Sequence, residues 1–226
     1  MNIPGFALQS RYLKDMPSLA KEEMAVHYYA LMEKVPVKVI SDPKKVPTDW
    51  IPVGTVEYCE KILGTHILPD YYPDFLSGHL YRKVWKTNEW PLGKKIFIKP
   101  ADRYKRFTGF VTNGGYKGKK RSPYWCSDPV TFMNEWRYYV ANGKILTGEW
   151  YQGDEENTPD APKLEIDMPK DYCGAIDFGT LDTGELALVE ANHPFACGWY
   201  GKDHQKYVEF LCCGWQYIKK IVSNTP

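Results

Sequence analysis

Three oxygen-bearing side chains, Asp177, Glu190 and Asn192, are spaced so that one β-hairpin brings them together. The run from Asp177 to Asn192 reads as two β-prone segments joined by a tight turn at Thr183-Gly184, because a glycine between two such segments signals a hairpin. Counting outward from the bond between residues 183 and 184 sets Asp182 opposite Glu185 and Asp177 opposite Glu190. Like charges directly opposite one another on a sheet repel. Asn192 lies two residues past Glu190 and projects from the same face. One reading is a surface hairpin with solvated acids, the usual state of carboxylates. The other is a hard cation held between them. Glu190 follows Leu186, Leu188 and Val189, and Asp177 follows Ala175 and Ile176, so the acids interrupt apolar strands at positions that pair. That placement favours the cation. An all-oxygen donor set suits Mg²⁺ or Mn²⁺ rather than zinc, and Mg²⁺ on few protein ligands is completed by phosphate oxygens and water.

Lys99 ends the apolar run that starts at Lys95. It reads either as a lysine that snorkels into solvent or as an anion contact. After it come Arg103, Lys105 and Arg106, then the glycine-rich stretch 112–118 with Lys117. Glycines between strands let backbone N–H groups approach an anion closely. The stretch matches neither GxxxxGK[ST] nor GxGxxG. From Lys99 to Arg121 eight Lys or Arg accompany one acid. Such a segment is a solvated loop, a nucleic-acid surface, or a cluster that neutralises a polyphosphate and an anionic substrate. The net charge of +1 for the whole chain weighs against nucleic acid as a partner.

A third group is Asp128-Pro129-Val130 followed by Glu135-Trp136-Arg137. Hydrogen bonding to a purine edge needs one carbonyl and one N–H two residues apart. The Asp128 carbonyl and Val130 N–H meet that need, and Pro129 between them has no N–H to place. Arg137, at the start of a strand, reads either as a phosphate ligand in fork geometry or as the partner of a local acid such as Glu135. None of His27, His66, His79, His193 and His204 has metal-ligand spacing, and GxSxG is absent.

The elements that position these groups are helices and mostly antiparallel strands, an α+β pattern. Helices are expected over 17–34, over 54–63 with Thr55 at its start, and over 203–222. Strands are expected at 37–40, 94–99, 107–112, 124–126, 135–141, 144–151, 173–181 and 185–192. Asn142-Gly143 is a two-residue hairpin signal. Prolines 43, 47 and 52 argue against regular structure over 41–52, and 69–76 reads as an aromatic loop. No apolar run is long enough to cross a bilayer, and the N-terminus lacks the pattern of a signal peptide. The expectation is a soluble, cytoplasmic protein without a membrane partner. Six cysteines without a CxxC pair point to buried thiols rather than a zinc knuckle or a disulfide framework.

The order of these features, a strand lysine, a glycine-rich loop, a linker, a (D/E)xR strand and then D-x12-E-x-N, resembles the ATP-grasp superfamily. It is most similar to the phage and bacterial clade named for two arginines and a lysine. The residues that carry the likeness are Pro52–Glu57, Phe132–Val140, Gly143–Ile145, Leu188–Asn192 and Gly198–Gly201, across about residues 50–201. The resemblance implies an ATP-grasp fold in which two α+β subdomains hold ATP. An N-terminal α/β region would cover 1–75, a nucleotide-binding subdomain 76–126 and a metal-binding subdomain 127–226. It implies a ligase that joins a carboxylate to an amine or thiol through an acyl-phosphate. Lys99 would touch the α- or β-phosphate, with Arg103, Lys117 and Glu135 completing the nucleotide-binding set. Asp128 and Val130 would form the adenine hinge, and Asp177, Glu190 and Asn192 would bind Mg²⁺. Arg137 would steady the γ-phosphate or the acyl-phosphate. Many members carry a full domain ahead of the core; the short region here implies a large or externally presented substrate. An ATP-grasp kinase or a nucleotide sensor is the alternative within this fold.

Overall fold

In the computed structural model, which describes residues 3–13, 16–102, 107–115 and 123–224, apolar Phe6–Leu8 (β1) is the centre of a parallel sheet. Arg11–Leu13 (β2) pairs antiparallel with Met16–Ser18 (β3) as a separate ribbon. Helix α1 (Lys21–Met32) follows, and Val37–Val39 (β4) and Ile51–Val53 (β5) flank β1. The helix expected from residue 17 therefore starts at Lys21, because Pro17 belongs to the ribbon. Regular structure also reaches into 41–52. The β5 residues that bond to β1 are Ile51 and Val53, through Ile51 N–H to Gly5 O and Gln9 N–H to Val53 O. The missing N–H of Pro52 faces away from the ladder on an edge strand, where proline is tolerated. Helix α2 (Val56–Leu63) opens on Thr55, whose hydroxyl accepts from Tyr58 N–H at 3.3 Å, and ends at left-handed Gly64. A 3₁₀ segment, Asp74–His79, begins inside the stretch 69–76 expected to be aromatic loop and runs past its end.

Two antiparallel four-stranded sheets come next. The first comprises Val84–Thr87 (β6), Ile96–Pro100 (β7), Phe110–Thr112 (β8) and Tyr124–Ser127 (β9), in the order β6-β9-β7-β8. The second comprises Phe132–Ala141 (β10), Lys144–Gln152 (β11), Gly174–Leu181 (β12) and Leu186–Asn192 (β13), in the order β11-β10-β12-β13. Asn142 and Gly143, at φ 49° and 67°, make the turn between β10 and β11, as the Asn-Gly pair predicts.

Helix α3 (His204–Asn224) joins the N-terminal parallel sheet to the second four-stranded sheet. Its Tyr207, Phe210 and Leu211 pack with Phe6, Leu8 and Val26 on one side and with Tyr139 of β10 on the other, in a single buried cluster. A second cluster, with Ile176, Phe178 and Leu188 at its centre, lies beneath the second sheet. All six cysteines are free and buried. Among the described residues no helix is long and apolar enough to cross a membrane.

The β12–β13 hairpin departs from the simple count in two respects. Leu181, not Asp182, faces Glu185: Leu181 N–H donates to Glu185 O and Gly184 N–H to Leu181 O. Asp182 lies in the turn and donates its N–H to Thr131 O. The loop thus holds three residues, and the strands pair as Thr180 with Leu186, Gly179 with Ala187 and Phe178 with Leu188. Val189 is then an extra residue, a β-bulge, after which Asp177 faces Glu190 and Ala175 faces Asn192. A longer loop and a bulge offset one another, so the expected Asp177–Glu190 pairing stands.

Candidate active site

Asp177 sits at the middle of the second sheet, with Arg137 beside it on β10 and Glu190 on β13. Central strands are covered on both faces, so the Asp177 side chain is only 2% exposed. Arg137 donates to both its oxygens, from Nε at 2.8 Å and from Nη2 at 2.7 Å. Such a fork is the strongest common form of ion pair between side chains. Arg137 therefore pairs not with Glu135 but with Asp177, one strand away, and it lies within β10 rather than at its start. Glu135 instead accepts a short hydrogen bond from the Tyr151 hydroxyl. Tyr151 stacks on Tyr200, and both rings flank the Arg137 guanidinium at 5.6 and 5.4 Å. Burial pushes the Asp177 carboxyl up from its ordinary value against the pull of Arg137, and burial likewise raises Glu135.

Lys99 brings the first sheet into the site. Its Nζ is 2.6 Å from Glu190 Oε2, a contact that spans the two sheets. The ammonium also lies 4.0 Å from the ring centre of Tyr71 and 4.7 Å from that of Tyr72. Tyr72 meets Trp125, the register partner of Lys99 on β9, edge to face at 5.0 Å. The lysine is thus buried against aromatic rings and an acid rather than snorkelling. Asn192 completes the group: its Nδ2 donates to Asp177 Oδ2 at 3.2 Å and to Glu190 Oε1 at 3.1 Å.

Five side chains therefore form one chain of contacts, Lys99–Glu190–Asn192–Asp177–Arg137, with a cation at each end and the amide between the two acids. The two carboxylates and the amide converge on one point. Among the described residues no group of three or more His, Cys, Asp or Glu is placed to hold a metal ion; the donors here are two acids and an amide. All are hard oxygen donors, a set that fits Mg²⁺ once the Asn192 amide turns its oxygen inward.

Asp128 and Val130 occupy the crossover from β9 to β10, between the two sheets. Asp128 is fixed twice to Lys83, its N–H donating to Lys83 O at 3.1 Å and its Oδ2 accepting from Lys83 N–H at 3.2 Å. Arg103 and Lys117 lie outside the described residues, as do the other Lys and Arg of the basic segment except Lys99. A cavity of about 350 Å³ opens beside Arg137, Glu190 and Asn192 and is bounded by Tyr71, Phe195 and the first turn of α2. His193 lines it and stacks on Phe195. The roles of Tyr71, Tyr72, Tyr151 and Tyr200 carry no local sequence signal, since each meets the site across a long stretch of chain.

No curated protein sequence matches this chain. Solved structures of similar fold include D-cycloserine synthetase DcsG, at 12% identity and a TM-score of 0.50, covering 96% of this chain and 99% of that one. The N5-carboxyaminoimidazole synthetase of Staphylococcus aureus aligns at 9% identity and 0.51, covering 97% and 79%. The macrocyclase MdnC, bound with precursor peptide MdnA, from Microcystis aeruginosa MRC aligns at 11% identity and 0.50, covering 92% and 99%. At such identities the likeness is one of fold. Residues 77–210, more than half of the chain, match an ATP-grasp domain family, the second of the clade named for two arginines and a lysine. The chain belongs to the ATP-grasp superfamily, in the second family of that clade.

Proposed function

We propose that this chain is an ATP- and Mg²⁺-dependent ligase that joins a carboxylate to an amine or thiol through an acyl-phosphate. The observation that carries the reading is the pair of cross-strand and cross-sheet contacts, Arg137–Asp177 and Lys99–Glu190, bridged by Asn192. Each of the two cations is held by an acid. Mg·ATP would supply the opposite charge to both halves: the phosphates would draw Lys99 and Arg137, and Asp177, Glu190 and the Asn192 oxygen would hold the metal. Bound there, Mg²⁺ would neutralise phosphate charge and orient the terminal phosphoryl group.

Asp128 O and Val130 N–H would read the adenine edge, with Glu135 at its side of the nucleotide site. Arg137 would hold the phosphoryl group against a substrate carboxylate in the 350 Å³ cavity. The carboxylate oxygen attacks the γ-phosphorus and ADP leaves with the bonding electrons. An amine or thiol then attacks the acyl carbon and phosphate leaves. The protein's own part is positioning and charge stabilisation, with no covalent enzyme nucleophile.

The test is product analysis. One solved structure of this fold is bound with a precursor peptide, so peptides join amino acids in the screen. ADP and phosphate release together with an amide or thioester product supports the ligase. A phosphorylated product, or ATP binding without turnover, replaces it with a kinase or a sensor. Calorimetry of Asp177→Asn/Glu190→Gln tests the metal: ATP binding should lose its dependence on Mg²⁺. Unchanged Mg·ATP affinity removes the metal assignment.

A further inference from the structure

Glu190 faces the site only because of the bulge at Val189. With the three-residue turn and no bulge, the register would set Val189 opposite Asp177 and Glu190 opposite Ile176. Directly opposed residues share a face of the sheet, and Ile176 is fully buried in the apolar cluster beneath it. A shift of one residue exchanges the faces of every following side chain. Glu190 would then point into the core, and Asn192 with it.

A bulge interrupts the ladder and leaves backbone groups to be paired elsewhere. Arg82, just ahead of β6, supplies the donors. Its Nη1 donates to Leu188 O at 2.7 Å and its Nη2 to Val189 O at 3.2 Å, the two carbonyls of the interrupted stretch. Nη1 also bonds to Leu80 O at 3.0 Å, and the guanidinium lies over the Phe132 ring at 5.4 Å. The fork of an arginine matches two adjacent carbonyls; a lysine, a single point of charge, does not. The neighbouring residue, Lys83, holds Asp128 through its backbone. One dipeptide thus ties down both the crossover between the sheets and the strand that carries Glu190.

We infer that Arg82 is a positioning residue: its guanidinium holds the Val189 bulge and thereby aims Glu190 at the metal bound beside Asp177. The inference rests on the metal reading above. Its test measures how much Mg²⁺ tightens ATP binding, by calorimetry with Mg²⁺ and with EDTA. Four proteins are compared: wild type, Asp177→Asn/Glu190→Gln, Arg82→Gly and Arg82→Lys. Loss of a group that orients a metal ligand typically costs ~10–100-fold in metal affinity. Arg82→Gly should lose at least ~10-fold of the Mg²⁺ effect while binding ATP in EDTA as wild type does. Added guanidinium should restore the effect, and methylammonium should not. Arg82→Lys, which keeps the charge but not the fork, should lose part of it and serves if the glycine variant does not fold. A wild-type Mg²⁺ effect in both Arg82 variants overturns the inference, provided the Asp177→Asn/Glu190→Gln protein has lost it. If that double variant keeps the Mg²⁺ effect, the metal reading itself fails and the role of Arg82 falls with it.

Discussion

Removing one member of the Arg137–Asp177 pair should produce two variants whose stabilities respond differently to pH. The side chains are 13% and 2% exposed, and the fork between them is bidentate. Asp177→Asn strands a guanidinium that does not give up its proton. Breaking a buried pair in this way costs about 3–5 kcal/mol. For a chain of this size each kcal/mol lowers Tm by roughly 2–4 °C, so a fall of roughly 6–20 °C is expected. Arg137→Gln strands a carboxyl group instead, and that group can take up a proton. Burial already raises the Asp177 pKa, and Arg137 is what opposes the rise. Without the guanidinium the folded pKa climbs further above the unfolded value. An acid whose folded pKa is raised binds a proton in the folded state before the unfolded chain does. Stability therefore recovers as pH falls through the folded pKa, by up to about 1.4 kcal/mol per pH unit. The recovery ends near the ordinary value of 3.8. Asp177→Asn has no such group at this position and should not recover relative to wild type. The assay is urea unfolding of metal-free protein in EDTA from about pH 8 to about pH 5. A deficit in Asp177→Asn below about 1 kcal/mol, the range of exposed ion pairs, refutes the closed geometry. Parallel deficits in the two variants at every pH refute the titration argument.

Two further expectations concern single positions. Lys99→Met removes a charged donor from the proposed phosphate site, an interaction worth ~1.5–3 kcal/mol, so ATP affinity by calorimetry should fall roughly 10–100-fold. Gly143→Ala forces a Cβ onto a residue at φ 67° and within 2.6 Å of Pro169 O. The strain should cost about 1–3 kcal/mol in urea unfolding, with nucleotide binding in the folded protein unchanged.

Residue types and local spacing were enough to name the acids, the amide, the strand lysine and the Asn-Gly turn, because hairpin pairing and period-two alternation are short-range. The α+β class and the strands of the second sheet follow from the same patterns. The strand at Ile51–Val53 escaped that reading because proline is excluded from sheets only where its N–H is needed, and strand direction and edge position decide that. The three-residue loop and the Val189 bulge escaped it too, since a glycine marks a turn without fixing its length. The pairing of Asp177 with Glu190 was legible because those two departures offset one another. Tertiary structure alone decided the partners. Arg137 bonds to Asp177 from the adjacent strand, Lys99 reaches Glu190 from another sheet, and Arg82 clamps carbonyls more than a hundred residues away. Sequence sets what each side chain can donate or accept. Which groups meet depends on packing: burial of Ile176, Phe178, Leu188 and the α3 aromatics holds the second sheet and its neighbours, and the first sheet, with a core of its own, meets the site through Lys99 and Trp125.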